Sequence, residues 1–262
     1  MDLQLTGKTV LVTAASAGLG YATAAALSVE GARVAICSRD LARAQAAAQQ
    51  IQDASGNEVL AFGADVASET DLTQLFADVN EVFGKLDILV CNAGGPPAGN
   101  FSALSEVQWA TGFQLTLMSV VRSVRLALPL LKAAGGGRVL TILSSSVKKP
   151  IDNLTLSNTF RPAVQGLCKS LSLELAGDNI QVNGLAPGRI ETGRINELDD
   201  ALAAKQGKSR SEIRAASEAQ IPMKRLGQPD EFGRVAAFLC SPAAAYVNGS
   251  VLLVDGGAMT SL

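Results

Sequence analysis

The sequence predicts a doubly wound α/β fold: a mostly parallel, seven-stranded sheet with helices on both faces. Short apolar, β-branched runs alternate with longer helical patterns from one end of the chain to the other. The runs are apolar throughout, as strands are when both faces of a parallel sheet are covered. Strict β-α alternation selects a sheet wound with helices on two sides. No repeat or linker divides the 262 residues, and 48% hydrophobic content supplies one core, so residues 1–262 read as a single domain.

Lys8–Val12 is the first strand, and Gly18–Glu30 follows as a helix behind a glycine turn. Arg33–Cys37 is the second strand, backed by the alanine-rich helix Leu41–Ala54. Strand Glu58–Phe62 leads to helix Glu69–Phe83, and strand Asp87–Cys91 to a Gly/Pro loop and a long helical pattern over Glu106–Ala134. Arg138–Leu143 is a strand, followed by a loop and a helix over Ser157–Ala176. Ser157 suits the N-cap of that helix, since its hydroxyl can accept from a free first-turn amide, and Pro162 suits its first turn. Strand Ile180–Leu185, helix Asp230–Cys240 and strand Ser250–Val254 complete the series. The least hydrophobic stretch, Glu191–Gln220, carries Lys205, Lys208, Arg210 and Arg214. It reads as a solvated helical insertion around residues 190–222, or as a mobile lid over a substrate.

Composition excludes several chemistries. There is no histidine, so no histidine base, shuttle or metal ligand, and no metal site is expected. Cys37, Cys91, Cys168 and Cys240 are far apart, lack a C-x-x-C spacing and lie in apolar stretches, which reads as four buried thiols. A net charge of −2 gives no electrostatic pull towards nucleic acid or an anionic membrane. No signal-like run opens the chain and no apolar stretch reaches the ~20 residues of a span. A cytoplasmic home and no membrane or nucleic-acid partner are expected.

The first strand runs into Thr13-Ala14-Ala15-Ser16-Ala17-Gly18-Leu19-Gly20, and a helix follows. Gly18 lets the backbone approach a pyrophosphate, Gly20 lets helix and strand pack closely, and the helix N-terminus offers free N–H groups to the phosphates. The second strand ends in Ser38-Arg39-Asp40. A carboxylate there would hold the ribose diol of NAD, and an arginine the 2′-phosphate of NADP. Ser38 and Arg39 occupy the strand end, which favours NADP and leaves NAD open; Asp40 stands one step late and can instead cap the helix that begins at Leu41.

With these motifs in view, nearly the whole chain resembles the short-chain dehydrogenase/reductase family, whose fold is the Rossmann type. The glycine turn resembles its Thr-Gly-x-x-x-Gly-x-Gly, with Ala14 in place of the first glycine. Asp65-Val66 resembles the pair that contacts adenine, and Cys91-Asn92-Ala93-Gly94 the Asn-Asn-Ala-Gly beside the cofactor. Val182-Asn183, Pro187-Gly188 and Thr192 resemble the segment that meets the nicotinamide carboxamide, and Val254-Asp255-Gly256-Gly257 the C-terminal strand ending. The resemblance implies four working residues, Asn, Ser, Tyr and Lys. Their positions fall on Thr116, Ser144, Ser157 and Arg161, so only the serine is kept. Both tyrosines, Tyr21 and Tyr246, lie elsewhere.

Arg161 can hold a ribose hydroxyl and keeps a positive charge, but it donates no proton at neutral pH. The Ser157 hydroxyl is too weakly acidic and too short to replace a phenol. Lys148 and Lys149, in the loop after Ser144, are the candidates for a substitute acid, against the plainer reading of two exposed loop lysines. Three functions fit this pattern: an NADP-dependent oxidoreductase interconverting a small-molecule carbonyl and an alcohol; a non-catalytic NADP-binding sensor or partner subunit; and a non-redox isomerase or lyase on the same fold. Phe101, Trp109, Phe113 and Phe160 read as core or interface. The family resemblance implies a homo-oligomer, a tetramer or dimer, with the apolar tail Ala258–Leu262 at one contact.

Overall fold

The computed structural model describes residues 2–260; Ser261 and Leu262, the end of the apolar tail, lie outside the described residues. Strands are β1 (Thr9–Val12), β2 (Arg33–Ser38), β3 (Val59–Gly63), β4 (Ile88–Cys91), β5 (Gly137–Ile142), β6 (Ile180–Pro187) and β7 (Val251–Val254). Helices are α1 (Gly18–Val29), α2 (Leu41–Ser55), α3 (Glu69–Phe83), α4 (Glu106–Phe113), α5 (Ser119–Ala133), α6 (Thr155–Glu174), α7 (Gly193–Gln206), α8 (Arg210–Gln220) and α9 (Pro229–Cys240). The seven strands form one sheet in the order β3-β2-β1-β4-β5-β6-β7, and every pairing is parallel.

Successive side chains of a strand point to opposite faces, so each apolar run feeds two cores. Leu11, Ala35, Leu89 and Cys91 join Leu72, Leu75, Val79, Val124, Leu131 and Cys168 on one side. Val10, Val12, Ile36 and Val90 join Leu27, Ile51, Phe232, Ala236 and Cys240 on the other. All four cysteines are free and buried. Helix ends follow their sequence signals. Asp40 caps α2 by accepting from Arg43 N–H at 3.2 Å. Ser68 caps α3, and Gly56 and Gly84 close α2 and α3 in left-handed conformations.

Several expectations need correction. The pattern over Glu106–Ala134 is not one regular helix: α4 and α5 are joined by a π-helical turn, Gln114–Met118. Taken together, Glu106–Ala133 is long and apolar enough to cross a membrane by length and composition, with an 18-residue window of mean hydropathy 1.3, contrary to the sequence reading. Here Val120, Val124, Ala127 and Leu131 of this helix are core residues.

Helix α6 starts at Thr155, with Leu154 as its N-cap, so Ser157 sits inside the first turn and is not the cap. Pro162 lies well inside the helix, not in its first turn. Its missing N–H leaves the Asn158 carbonyl without its helical donor.

The polar stretch is a pair of helices, α7 and α8, clasped through Asp199, whose side chain is only 1% exposed. Arg189 and Arg214 both pair with Asp199, the latter at 3.2 Å. Arg214 also reaches Glu191 at 3.0 Å and the Asn196 side-chain oxygen at 2.7 Å. Arg214 therefore serves a buried carboxylate instead of facing water.

Candidate active site and its relatives

The sheet order reverses between β1 and β4, and the crevice at the carboxyl ends of the strands there is where ligands bind in this architecture. A cleft of ≈ 650 Å³ occupies that place. Its cofactor end is built by the turn between β1 and α1. Helix α1 has Ala17 at its N-cap and no side-chain hydrogen bond there, so its first amides are left for an anion. Gly20 lies under this turn. A Cβ on it would stand 2.5 Å from the Asn92 side-chain nitrogen and 2.9 Å from the Ala14 carbonyl. That same Asn92 nitrogen donates to the Ala14 carbonyl at 2.9 Å, and the Thr13 hydroxyl joins the backbone of Asn92 at 2.7 and 2.8 Å. The two loops that flank the crevice are thus locked together.

Of the expected cofactor residues, Ser16, Gly18, Leu19, Ser38, Arg39, Asp65, Val66, Asn92, Ala93, Gly94, Arg161, Pro187, Gly188 and Thr192 line the cleft. Thr13, Ala15 and Gly20 stand behind its wall: Ala15 is fully buried and donates to the Cys37 carbonyl at 2.9 Å. A dinucleotide fits this donor set. The wall beside β2 offers the guanidinium groups of Arg39 and Arg43 and the paired hydroxyls of Ser16 and Ser38, 3.1 Å apart. Asp40 is turned to capping α2 and does not line the cleft.

At the other end, Ser144, Ser157 and Arg161 meet on the cleft floor with Ile142, Leu143 and Leu154. Ser144 Oγ accepts from Ser146 N–H at 3.1 Å, and Ser146 Oγ lies 3.2 Å from Ser157 Oγ. The Ser157 hydroxyl is therefore paired with that of Ser146, and Ser144 joins them only through the Ser146 amide. Arg161 is 7% exposed. Its Nη1 donates to the Ile142 carbonyl at 2.6 Å, and its Nε has no partner among the described residues. No carboxylate pairs with it there either. Burial pulls its pKa down to about 10, still charged at neutral pH.

Thr116 does not reach the cleft. The π-helical turn places it on a small cavity of ≈ 10 Å³ that it shares with Arg161, Asn92 and Ser119. Its hydroxyl is also unpartnered among the described residues, and the space is about what one water needs.

Lys148 and Lys149 are exposed and absent from the cleft lining, so the expected substitute acid is not brought to the site. The loop carries them outward through a single turn of 3-10 helix, Ser145–Val147. The aromatics also lie elsewhere. Trp109 packs edge-on to Phe101 and Phe160, with Phe113 tilted against Phe160, and Phe101 is 76% exposed.

The sequence reading missed Arg43, Arg194, Ser146 and the apolar wall of Leu154, Ile190, Ile195 and Leu198. Arg43 had a usable signal: it follows Arg39 by four residues, across a helix start that Asp40 marks. The others depend on where α6 and α7 begin, and those starts carry no polar cap residue that accepts from the helix.

Comparison with known proteins agrees with this construction. A family profile described as enoyl-(acyl carrier protein) reductase matches residues 13–259. The 7alpha-hydroxysteroid dehydrogenase of Escherichia coli is 33% identical over 261 residues, covering 100% of this chain and 98% of that protein. The chain belongs to the short-chain dehydrogenase/reductase family. Among solved members of the family, L-sorbose reductase from Gluconobacter frateurii, complexed with NADPH and L-sorbose, superposes with a TM-score of 0.95 at 30% identity over 100% of both chains. A 7alpha-hydroxysteroid dehydrogenase complexed with NADH and 7-oxo glycochenodeoxycholic acid gives 0.88 at 33% identity, covering 100% of this chain and 98% of that one. The chain is a short-chain oxidoreductase.

Proposed function

We propose that this short-chain oxidoreductase is NADP-dependent and interconverts a small-molecule carbonyl and an alcohol without a tyrosine as proton donor. The observation that carries the reading is Arg161. A guanidinium buried without a carboxylate partner is costly to the fold, and such a group persists where a negative charge arrives during function. Bound along the cleft, the nicotinamide cofactor supplies or accepts hydride. Arg161, Ser144 and Ser157 then present one cation and two hydroxyls to the substrate oxygen on which charge collects. Arg161 stabilises that charge but gives up no proton at neutral pH, so the proton comes from water. Carbonyls whose reduced oxygen is a weak base, such as quinones and dicarbonyls, need the least help and suit this site.

Preference for NADP rests on Arg39 and Arg43 beside the Ser16–Ser38 pair, with no free carboxylate at the end of β2. Two cations near a 2′-phosphate favour NADPH over NADH by about tenfold or more. The exposed aromatic face of Phe101 and Phe113, with Val107 at 75% exposure, suits burial against a second copy of the chain.

The test is NADPH oxidation by concentrated protein against ketones, quinones and dicarbonyls, with NADH in parallel. Oxidation that depends on an activated carbonyl and prefers NADPH is expected, and the double variant Arg39→Ala, Arg43→Ala should lose that preference. Absence of oxidation by protein that demonstrably binds NADPH would overturn the carbonyl reading.

A further inference from the structure

Arg194 stands in the first turn of α7 and lines the cleft beside Gly95 and Pro96, in the loop that follows β4. Its guanidinium rests on Gly95. A Cβ there would lie 3.0 Å from Nε and 3.2 Å from Nη2. Gly95 has no left-handed φ, so its backbone alone does not call for glycine; the room it leaves is occupied by Arg194. Nη2 donates to the Pro96 carbonyl at 3.1 Å. This is the one side-chain hydrogen bond, among the described residues, between the α7–α8 pair and the loop after β4. Nη1 meets Glu197 at 3.3 Å, longer than a strong charge-assisted bond, and the Glu197 side chain is 70% exposed. The backbone loop thus holds the cation over the cleft while its own counter-ion is loosely engaged.

We propose that Arg194 receives a carboxylate of the substrate and makes the cleft selective for carbonyl compounds that carry one. A planar guanidinium matches a carboxylate with two parallel N–H donors, and an incoming carboxylate needs only to displace Glu197. Arg161 on the floor and Arg194 on the wall then hold two different oxygens of one molecule, the reacting carbonyl and the anionic end. The role of the carbonyl rests on the reductase reading above; the anion site rests on Arg194 alone. The same fork would also suit a cofactor phosphate, and the experiment separates the two.

The probes are 2-oxo-2-phenylacetate and 2-oxo-2-phenylacetamide, offered to the whole protein saturated with NADPH. Turnover is followed by NADPH oxidation, and binding by the change in NADPH fluorescence. The acid should be preferred to the amide by about tenfold or more, the usual effect of a hydrogen bond to a charged group. Arg194→Gln should bring the ratio close to one, Arg194→Lys should keep part of it, and Glu197→Gln should raise it by freeing the cation. If neither probe turns over but the acid binds in an Arg194-dependent way, the anion site stands and the reductase reading fails. An unchanged ratio in Arg194→Gln, or no saturable binding of the acid, overturns the proposal. So does weakened NADPH binding with the ratio preserved, which would assign Arg194 to the cofactor phosphates.

Discussion

Arg161 works against the stability of its own fold. Its charge is penalised at every pH below about 10, and the penalty fades only as pH rises from there towards the ordinary guanidinium value. Replacing the group by an apolar side chain of similar length removes a desolvated cation. Arg161→Met should therefore lower turnover by about 100-fold or more, the usual cost of removing a charge-stabilising group from a site, while its Tm stays at or above that of the parent. A large drop in Tm would mean that the guanidinium holds the fold together through Ile142. Ala14 strains the backbone at the other end of the cleft. Its φ of 48° lies in the left-handed region that a Cβ disfavours. Ala14→Gly should stabilise the protein by about 0.5–1 kcal/mol in urea denaturation, since relief of strain exceeds the added freedom of the unfolded chain.

Among the elements, those that rest on local chemistry were readable and those that rest on tertiary context were not. Strands such as Ile88–Cys91 announced themselves as apolar runs, and Asp40 announced the start of α2. The π-helical turn at Gln114–Met118 carries no proline or glycine to mark it. It is tied by Ser119 Oγ donating to the Leu115 carbonyl at 2.6 Å and by Arg122 bonding Gln114 at 2.8 Å, contacts that exist only once the helix is formed. Helix α6 has Leu154 at its N-cap and no capping side chain there, while Ser157, of a residue type that favours caps, lies three residues further in. The exposure of Lys148 and Lys149 depends on the direction of a loop, which composition does not encode.

The α7–α8 pair is another such case: its charges read as solvated, yet Arg189 and Arg214 share the buried Asp199. Asp199→Asn leaves two guanidinium groups facing a neutral amide, a loss of order 3 kcal/mol for a broken buried pair. Faster tryptic cleavage within residues 193–220 is the expected result, together with a higher KM for the carbonyl substrate. An unchanged cleavage pattern would show that apolar contacts alone hold the pair.

At the scale of the whole molecule, one ionic anchor stands well away from the chemistry. The cleft lies at the carboxyl ends of the strands, whereas Asp87 sits at the opposite edge. There it accepts from Thr9 N–H and the Thr9 hydroxyl, each at 2.9 Å, and from Lys8 at 3.1 Å. Burial raises the Asp87 carboxyl, but the Thr9 and Lys8 contacts outweigh it and hold the group below the ordinary 3.8. A carboxylate lowered on folding adds stability that is complete above the ordinary value and is lost as pH falls through the folded one. Urea midpoints should therefore fall as pH drops below about 3.8, and Asp87→Asn should flatten that fall. An equally steep fall in the variant would place the acid sensitivity elsewhere.

The buried cysteines make each molecule a recorder of its own openings. Burial pushes the thiol of Cys37 on β2 up to about 11 and that of Cys240 on α9 up to about 12, and it raises Cys91 on β4 and Cys168 on α6 as well. At neutral pH none presents a thiolate to an alkylating reagent while the layers around it are closed. Each becomes reactive only when its own part of the sheet or its covering helices part. A timed pulse of iodoacetamide, read by mass at the four positions, would show which face of the sheet breathes first without any label having been built in.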